Sequence, residues 1–318
     1  MKQFKCLDLF SGAGGISLGF KNVGFNISLS NDYEPNATVL HKVNCESPII
    51  CNSIKNLNYS NILKKYDILM AGFPCQPFSQ AGKRDGFANK DNGYQFKEIL
   101  KSIIKTEPKV IFLENVPSLL THNQGESFGI VRKELEGLGF NIRYKVMDSI
   151  DYGNLPQTRK RLYIIGFKSL NSYKKFNFPS KIELTRSFKD LLENHVPSKY
   201  YYTEEKYPIV YSKIIKYIKN PNTIYQYRRG LVRENKRSLC PTLTAQMGTG
   251  GHNVPLLIDS KGIRKLTPRE CFNLQGFNAS LKIPEGIKDS DLYKIAGNSV
   301  PVTVITRIAK KIKKSLCY

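Results

Sequence analysis

Five short segments of the 318-residue chain carry side chains suited to chemistry. The first, Asp8-Leu9-Phe10-Ser11-Gly12-Ala13-Gly14-Gly15, is a glycine-rich turn that opens a helix. Such a turn lets backbone approach a ligand and aims helix N–H groups at an anionic group, although a plain tight turn has the same composition. Its spacing is not G-x-G-x-x-G, which argues against a nicotinamide dinucleotide. About twenty residues on, Asn31-Asp32-Tyr33 offers an acid for two ribose hydroxyls and an aromatic ring for an adenine; helix capping by Asp32 is the competing reading. One ribose without a pyrophosphate suggests S-adenosylmethionine. In Gly72-Phe73-Pro74-Cys75-Gln76-Pro77-Phe78-Ser79 a thiol is fixed between two prolines, in a stretch too turn-rich to be core. Glu114-Asn115-Val116 follows the apolar run Val110–Leu113, so its carboxyl should be partly desolvated and able to hold or deliver a proton near neutrality. Gln157-Thr158-Arg159-Lys160-Arg161 adds two arginines at alternate positions, which a solvated basic turn would also do.

These segments share a placement. Apolar runs at Cys6–Phe10, Ile27–Ser30, Ile68–Ala71, Val110–Leu113 and Leu162–Phe167 read as strands, and helical patterns separate most of them. Over Ser127–Leu138, for example, Phe128, Val131, Leu135 and Leu138 fall on one face, with Ser127 placed to cap. Alternation of this kind predicts an α/β fold with a mostly parallel, doubly wound sheet. In such sheets ligands bind outside the carboxyl ends of the strands, where the first four segments lie. From about Pro179 the pattern loosens into a Tyr-, Lys-, Asn- and Pro-rich stretch. It becomes helical again at Thr267–Leu274 and in a final amphipathic helix read from Asn298, with Ile305, Ile308, Ala309, Ile312 and Leu316 on one stripe. The expected division is therefore 1–178, a smaller irregular domain at 179–262, and a return to the first domain at 263–318.

Composition narrows the partners. Lys plus Arg is 49 and Asp plus Glu 26, a formal charge of +23 that favours a polyanion, with nucleic acid the first suspect. The 41% hydrophobic content fits a globular chain rather than a disordered one. No apolar run is long enough to span a bilayer and the amino terminus lacks a signal-peptide core, so a soluble, intracellular protein is expected. Seven scattered cysteines without a C-x-x-C pair, and four histidines, argue against a disulfide framework or a metal site and fit a reducing compartment. Cys6, Cys45, Cys51, Cys271 and Cys317 read as inert packing; Cys75 reads as a nucleophile.

Taken in order, these segments resemble the DNA cytosine-5 methyltransferases. Asp8–Gly15, Gly72–Ser79, Glu114–Val116 and Gln157–Arg161 are followed by Arg264-Lys265-Leu266-Thr267-Pro268-Arg269-Glu270-Cys271 and Gly297-Asn298-Ser299-Val300-Pro301, covering nearly the whole chain. The resemblance implies the Rossmann-like fold of S-adenosylmethionine-dependent methyltransferases with a smaller target-recognition domain, and methyl transfer to C5 of a flipped cytosine in a specific duplex site. Cys75 would add to C6, Glu114 would act at N3, and Arg159 with Arg161 would hold the base at O2 and the neighbouring backbone. Phe10, Gly12, Gly14, Asp32, Tyr33, Ser53, Ile54, Asn298 and Ser299 would bind S-adenosylmethionine. The segment Ser79–Gly93 resembles the family's mobile catalytic loop, so Ser79, Lys83 and Arg84 would meet DNA, as would Arg228, Arg229 and Thr242 of the smaller domain. Residues 206 to 237, with nine Lys or Arg, one Glu and interleaved tyrosines, lead into Pro241-Thr242-Leu243-Thr244-Ala245, which resembles bacterial target-recognition regions.

Two departures stand out. Asn52-Ser53-Ile54 occupies the place where the family usually has an acid against the adenine amino group, and the chain has no Trp. A tRNA cytosine-5 methyltransferase on the same scaffold and a catalytically inactive nucleic-acid-binding module are the competing functions. The remaining expectations are a monomer in the bacterial cytoplasm, no membrane association, and a cognate restriction endonuclease acting on the same site.

Overall fold

The computed structural model describes residues 3–58, 66–73, 94–235, 237–277 and 279–317. They divide into two compact units, one of residues 1–148, 160–180 and 304–318, the other of 149–159 and 181–303. The second unit thus takes in 149–159 and 263–303, which the sequence reading assigns to the first domain.

In the first unit β1 (Lys5–Leu9), α1 (Gly15–Lys21), β2 (Asn26–Asp32), α2 (Pro35–Cys45), β3 (Ile49–Cys51), β4 (Ile68–Gly72), α3 (Tyr94–Thr106), β5 (Val110–Asn115) and α4 (Glu126–Gly137) alternate along the chain. They are followed by β6 (Asn141–Asp148) and, after α5 (Ser149–Gly153) of the second unit, by β7 (Lys160–Phe167) and α6 (Leu170–Lys175). The seven strands form one sheet in the order β3-β2-β1-β4-β5-β7-β6. Neighbours from β3 to β5 are parallel, whereas β7 runs antiparallel to both β5 and β6. Strand order reverses between β1 and β4, which makes the carboxyl ends of those two strands the place for a ligand.

The sheet is covered on both faces. Every residue of β5 is buried, as a run of Val, Ile, Phe and Leu between two helical layers should be. Leu7, Leu9, Leu69, Ile111 and Leu113 pack on one face against Phe96, Ile99 and Ile103 of α3 and Phe128, Val131 and Leu135 of α4. On the other face Phe20 of α1 meets Phe112 edge-on at 5.2 Å. There α1 also lies against the last helix, α10 (Val302–Leu316), so closely that a Cβ on Gly19 would sit 2.4 Å from Ile305. Ile305, Ile308, Ala309 and Ile312 of the stripe read from the sequence are fully buried, and Leu316 at its end is half-buried. That helix begins at Val302 rather than Asn298, because Pro301 admits a helix only in its first turn and Asn298 closes the helix before it. Ser127 likewise lies inside α4, where its hydroxyl bonds His122, and the left-handed Gly125 takes the capping position.

The second unit is built on a four-stranded antiparallel sheet from β8 (Tyr225–Arg228), β9 (Leu231–Glu234), β10 (Leu256–Asp259) and β11 (Gly262–Lys265), in the order β11-β10-β8-β9. Helix α7 (Pro208–Tyr217) packs on it, with Ile214, Tyr225, Tyr227, Leu256 and Ile263 forming a small core. Helices α8 (Pro268–Leu274) and α9 (Asp289–Asn298) complete the unit. A Thr267–Glu270 capping box fixes the start of α8. Glu270 also receives Arg264 bidentately, at 2.8 and 2.9 Å. Among the described residues no helix is long and apolar enough to cross a membrane.

Candidate active site

Four segments of the first unit meet at the carboxyl edge of the sheet. After β1 the chain turns sharply, with Phe10, Gly12 and Gly14 all at positive φ, of 55°, 53° and 87°. Glycine serves two different needs in this turn. An added Cβ at Gly12 would meet nothing within 4 Å, so the turn is open to a ligand there. At Gly14 the Cβ would lie 2.2 Å from the Cys45 sulfur and 3.0 Å from His41 Nδ1, so the back of the turn is closed by α2. Ser11 Oγ, buried at the turn, has no hydrogen-bond partner among the described residues.

Asp32, the last residue of β2, braces this turn. Its Oδ2 accepts the Gly12 N–H at 2.8 Å and its Oδ1 accepts the Glu34 N–H at 2.9 Å. Burial raises its pKa, partly offset by these backbone hydrogen bonds. Each oxygen keeps a lone pair, which a ribose diol could fill. Beside it Tyr33 is 62% exposed, an unusual state for a large aromatic side chain at a strand end. Asn31 donates to the Ile50 and Asn52 carbonyls and so ties β2 to the end of β3. Ser53, half-buried, accepts the Lys55 N–H while Ile54 is buried. The open face over Gly12, the unpartnered Ser11 hydroxyl, the diol-sized carboxylate and the exposed ring fit a nucleoside cofactor.

Glu114 lies on the neighbouring part of the same edge, as the penultimate residue of β5. Its Oε1 is 2.9 Å from Arg161 Nε on β7, and both side chains are largely shielded from solvent. Asn115 donates to the Phe73 carbonyl, holding the end of β4 beside that of β5. Cys75, Ser79, Lys83 and Arg84 lie outside the described residues.

Arg159 departs from its expected role of holding a base. It is 1% exposed, and its terminal nitrogens donate to the carbonyls of Leu243, Gly297 and Ser299 within the second unit. Thr242 is half-buried and its hydroxyl donates to the Thr158 carbonyl. Arg228 and Arg229 are exposed at the β8–β9 hairpin, where Arg229 and Gly230 both have positive φ, at 52° and 78°. Asn298 is exposed and Ser299 buried. Gln157 is a residue the sequence reading left without a role: fully buried, it donates to the Leu274 carbonyl and accepts the Leu243 N–H.

A doubly wound sheet with a glycine turn and a bracing acid at its switch point, and an acid–arginine pair two strands away, defines a Rossmann-like fold whose sheet edge has room for a nucleoside. The model of the C-5 cytosine-specific DNA methylase family matches residues 4–314, and the chain belongs to that family. It is 46% identical over 311 residues to the Type II methyltransferase M.Bsp6I of Bacillus sp. (strain RFL6), covering 97% of this chain and 98% of that protein. It is 37% identical over 320 residues to M.HaeII of Haemophilus aegyptius, covering 99% and 95%. Among solved structures, the Entamoeba histolytica methyltransferase EhMeth superposes with a TM-score of 0.78 at 18% identity, and the S. pombe Dnmt2 methyltransferase with 0.73 at 20%, both over the full length of each chain. The protein is a DNA cytosine-5 methyltransferase, and the tRNA alternative is not favoured.

Proposed function

We propose that the enzyme transfers the methyl group of S-adenosylmethionine to a cytosine flipped out of a specific duplex site, through a covalent bond between Cys75 and C6. The observation that carries this reading is the Asp32 carboxylate closing on the Gly12 N–H of an open, left-handed turn, at the same sheet edge as Glu114 and Arg161. Phe10, Gly12, Gly14, Asp32, Tyr33, Ser53 and Ile54 form the nucleoside pocket, and Asn298 and Ser299 are assigned to the cofactor from the family pattern. When bound, S-adenosylmethionine supplies an electrophilic methyl group.

Cytosine C5 is a poor nucleophile, and addition of the Cys75 thiolate at C6 gives it enamine character. Glu114, as the carboxylic acid, gives its proton to N3 and so neutralises the negative charge that the adding thiolate puts on the ring, while Arg161 orients the carboxyl group and reaches O2. After C5 takes the methyl group, the C5 proton passes to water, its bonding electrons restore the double bond and expel Cys75 as the thiolate, and the N3 proton returns to Glu114. Flipping costs roughly a few kcal/mol of stacking and pairing, which contacts from Ser79, Lys83 and Arg84 help offset. The second unit selects the site, with Arg228 and Arg229 facing DNA. The protein acts as a monomer in the bacterial cytoplasm beside a restriction endonuclease of the same specificity.

A duplex with 5-fluorocytosine at the target tests the chemistry, because fluorine blocks the final elimination. With S-adenosylmethionine the wild type should form a denaturant-stable adduct. An undiminished adduct from Cys75→Ala would overturn the assignment.

A further inference from the structure

Residues Pro156 to Arg159 run alongside Cys240 to Leu243 like two strands of a ribbon, and every link in the ribbon is a hydrogen bond. The Cys240 N–H donates to the Pro156 carbonyl, the Thr158 N–H to the Cys240 carbonyl, and the Thr242 hydroxyl back to the Thr158 carbonyl. Gln157 accepts the Leu243 N–H, and Arg159 donates to the Leu243 carbonyl at 2.7 Å. The Arg159 guanidinium extends the ribbon to a third segment, donating to the carbonyls of Gly297, at 3.0 Å, and Ser299. The third segment leaves no slack, since a Cβ on Gly297 would sit 2.1 Å from the Thr244 carbonyl carbon. A little further along, a Cβ on Gly248 would be 2.2 Å from the Ser290 carbonyl oxygen of α9. The loop that leaves this clamp is exposed at Gln246, Thr249, Gly250 and Gly251.

A buried arginine whose terminal nitrogens donate to three carbonyls fixes the positions of the backbone that carries them. We infer that Arg159, with Gln157 and Thr242, is a positioning residue for site selection: it sets where the exposed loop 245–251 is presented to DNA and does not itself touch the target base. This rests on the proposed role of the second unit in recognising the DNA site. Lysine at this position keeps the charge, but its three N–H bonds radiate from one nitrogen and do not span carbonyls that Arg159 reaches from two separate nitrogens.

The test pairs Arg159→Lys with Thr242→Val, which keeps the shape of the side chain and removes one bond of the ribbon should the first variant fail to fold. Hydrogen exchange of segment 240–251 in the free protein should speed up in either variant, a readout that needs no DNA. The ratio of kcat/KM on cognate over single-mismatch duplexes should fall roughly 10- to 100-fold in Arg159→Lys, as a displaced contact loop would produce. Unchanged exchange, with kcat lowered equally on every duplex, would return Arg159 to the base and overturn the inference. Faster exchange with unchanged discrimination would show that the ribbon holds this segment without setting site selection, and would overturn the inference.

Discussion

Glu114 and Arg161 form a diagonal cross-strand pair. Register aligns Glu114 with Tyr163 on the antiparallel neighbour, so Arg161, two residues along, projects from the same face and closes on the carboxylate at 2.9 Å. The acid is therefore held by the sheet itself rather than by a loop. Glu114→Gln keeps the shape but cannot supply an acidic proton, and it should lower kcat by about 10²- to 10⁴-fold with cofactor affinity intact. Single-turnover kinetics alongside cofactor titration checks this. An equal loss in cofactor binding would make Glu114 structural.

Asp32 is expected to govern the cofactor. Removing its carboxylate in Asp32→Ala takes away the acceptor of the Gly12 N–H as well as the proposed ribose contact, so affinity for S-adenosylmethionine should weaken by about 1–3 kcal/mol. Calorimetry with the wild type as reference measures it. Unchanged affinity would place the cofactor elsewhere.

Beneath the turn Asp8 accepts the Ser17 hydroxyl and is fully buried, and that burial pushes its pKa up to about 7 from a model-peptide value near 3.8. A folded-state pKa above the unfolded one means that the native protein holds the proton longer. The stabilisation is complete below about pH 4 and is lost as pH rises towards 7. His41 on α2 works in the opposite sense: burial lowers its pKa to about 4, and its contribution is lost as pH falls from about 6.5. Asp8→Asn isolates the first effect, and its Tm relative to wild type should rise from pH 5 to pH 8. A difference that stays flat with pH would mean that Asp8 ionises normally.

Arg228 and Arg229 stand at a hairpin whose turn has two successive left-handed residues, the pattern of a type I′ turn. If either reads guanine, its replacement by Ala should cost about 1–3 kcal/mol on the cognate site and relax preference at one position. A phosphate contact would instead weaken all duplexes alike and make the salt dependence shallower by about one unit. Methylation profiling of a random duplex library with each variant separates the two, and an unchanged profile in both removes this hairpin from base reading.

The sequence alone determined the chemistry-bearing segments and the class of sheet that carries them. Apolar runs of four or five residues, each followed by polar or glycine-rich residues, mark buried parallel strands and their carboxyl ends, because both signals are local. The same holds for the Thr267–Glu270 cap and the apolar stripe of α10, which are set by spacing within a single helix. Helix α9 and the starts of α4 and α10 were not legible, because caps without a side-chain signature leave only weak marks in sequence. Tertiary structure decided which arginine faces which partner. Arg159 and Arg161 are two residues apart in one basic run, yet Arg161 reaches a carboxylate 47 positions earlier and Arg159 three carbonyls 84 to 140 positions later. Neither partner is within the reach of local periodicity, since long-range register and the close approach of Gly297 to Thr244 are set only when the whole chain has packed.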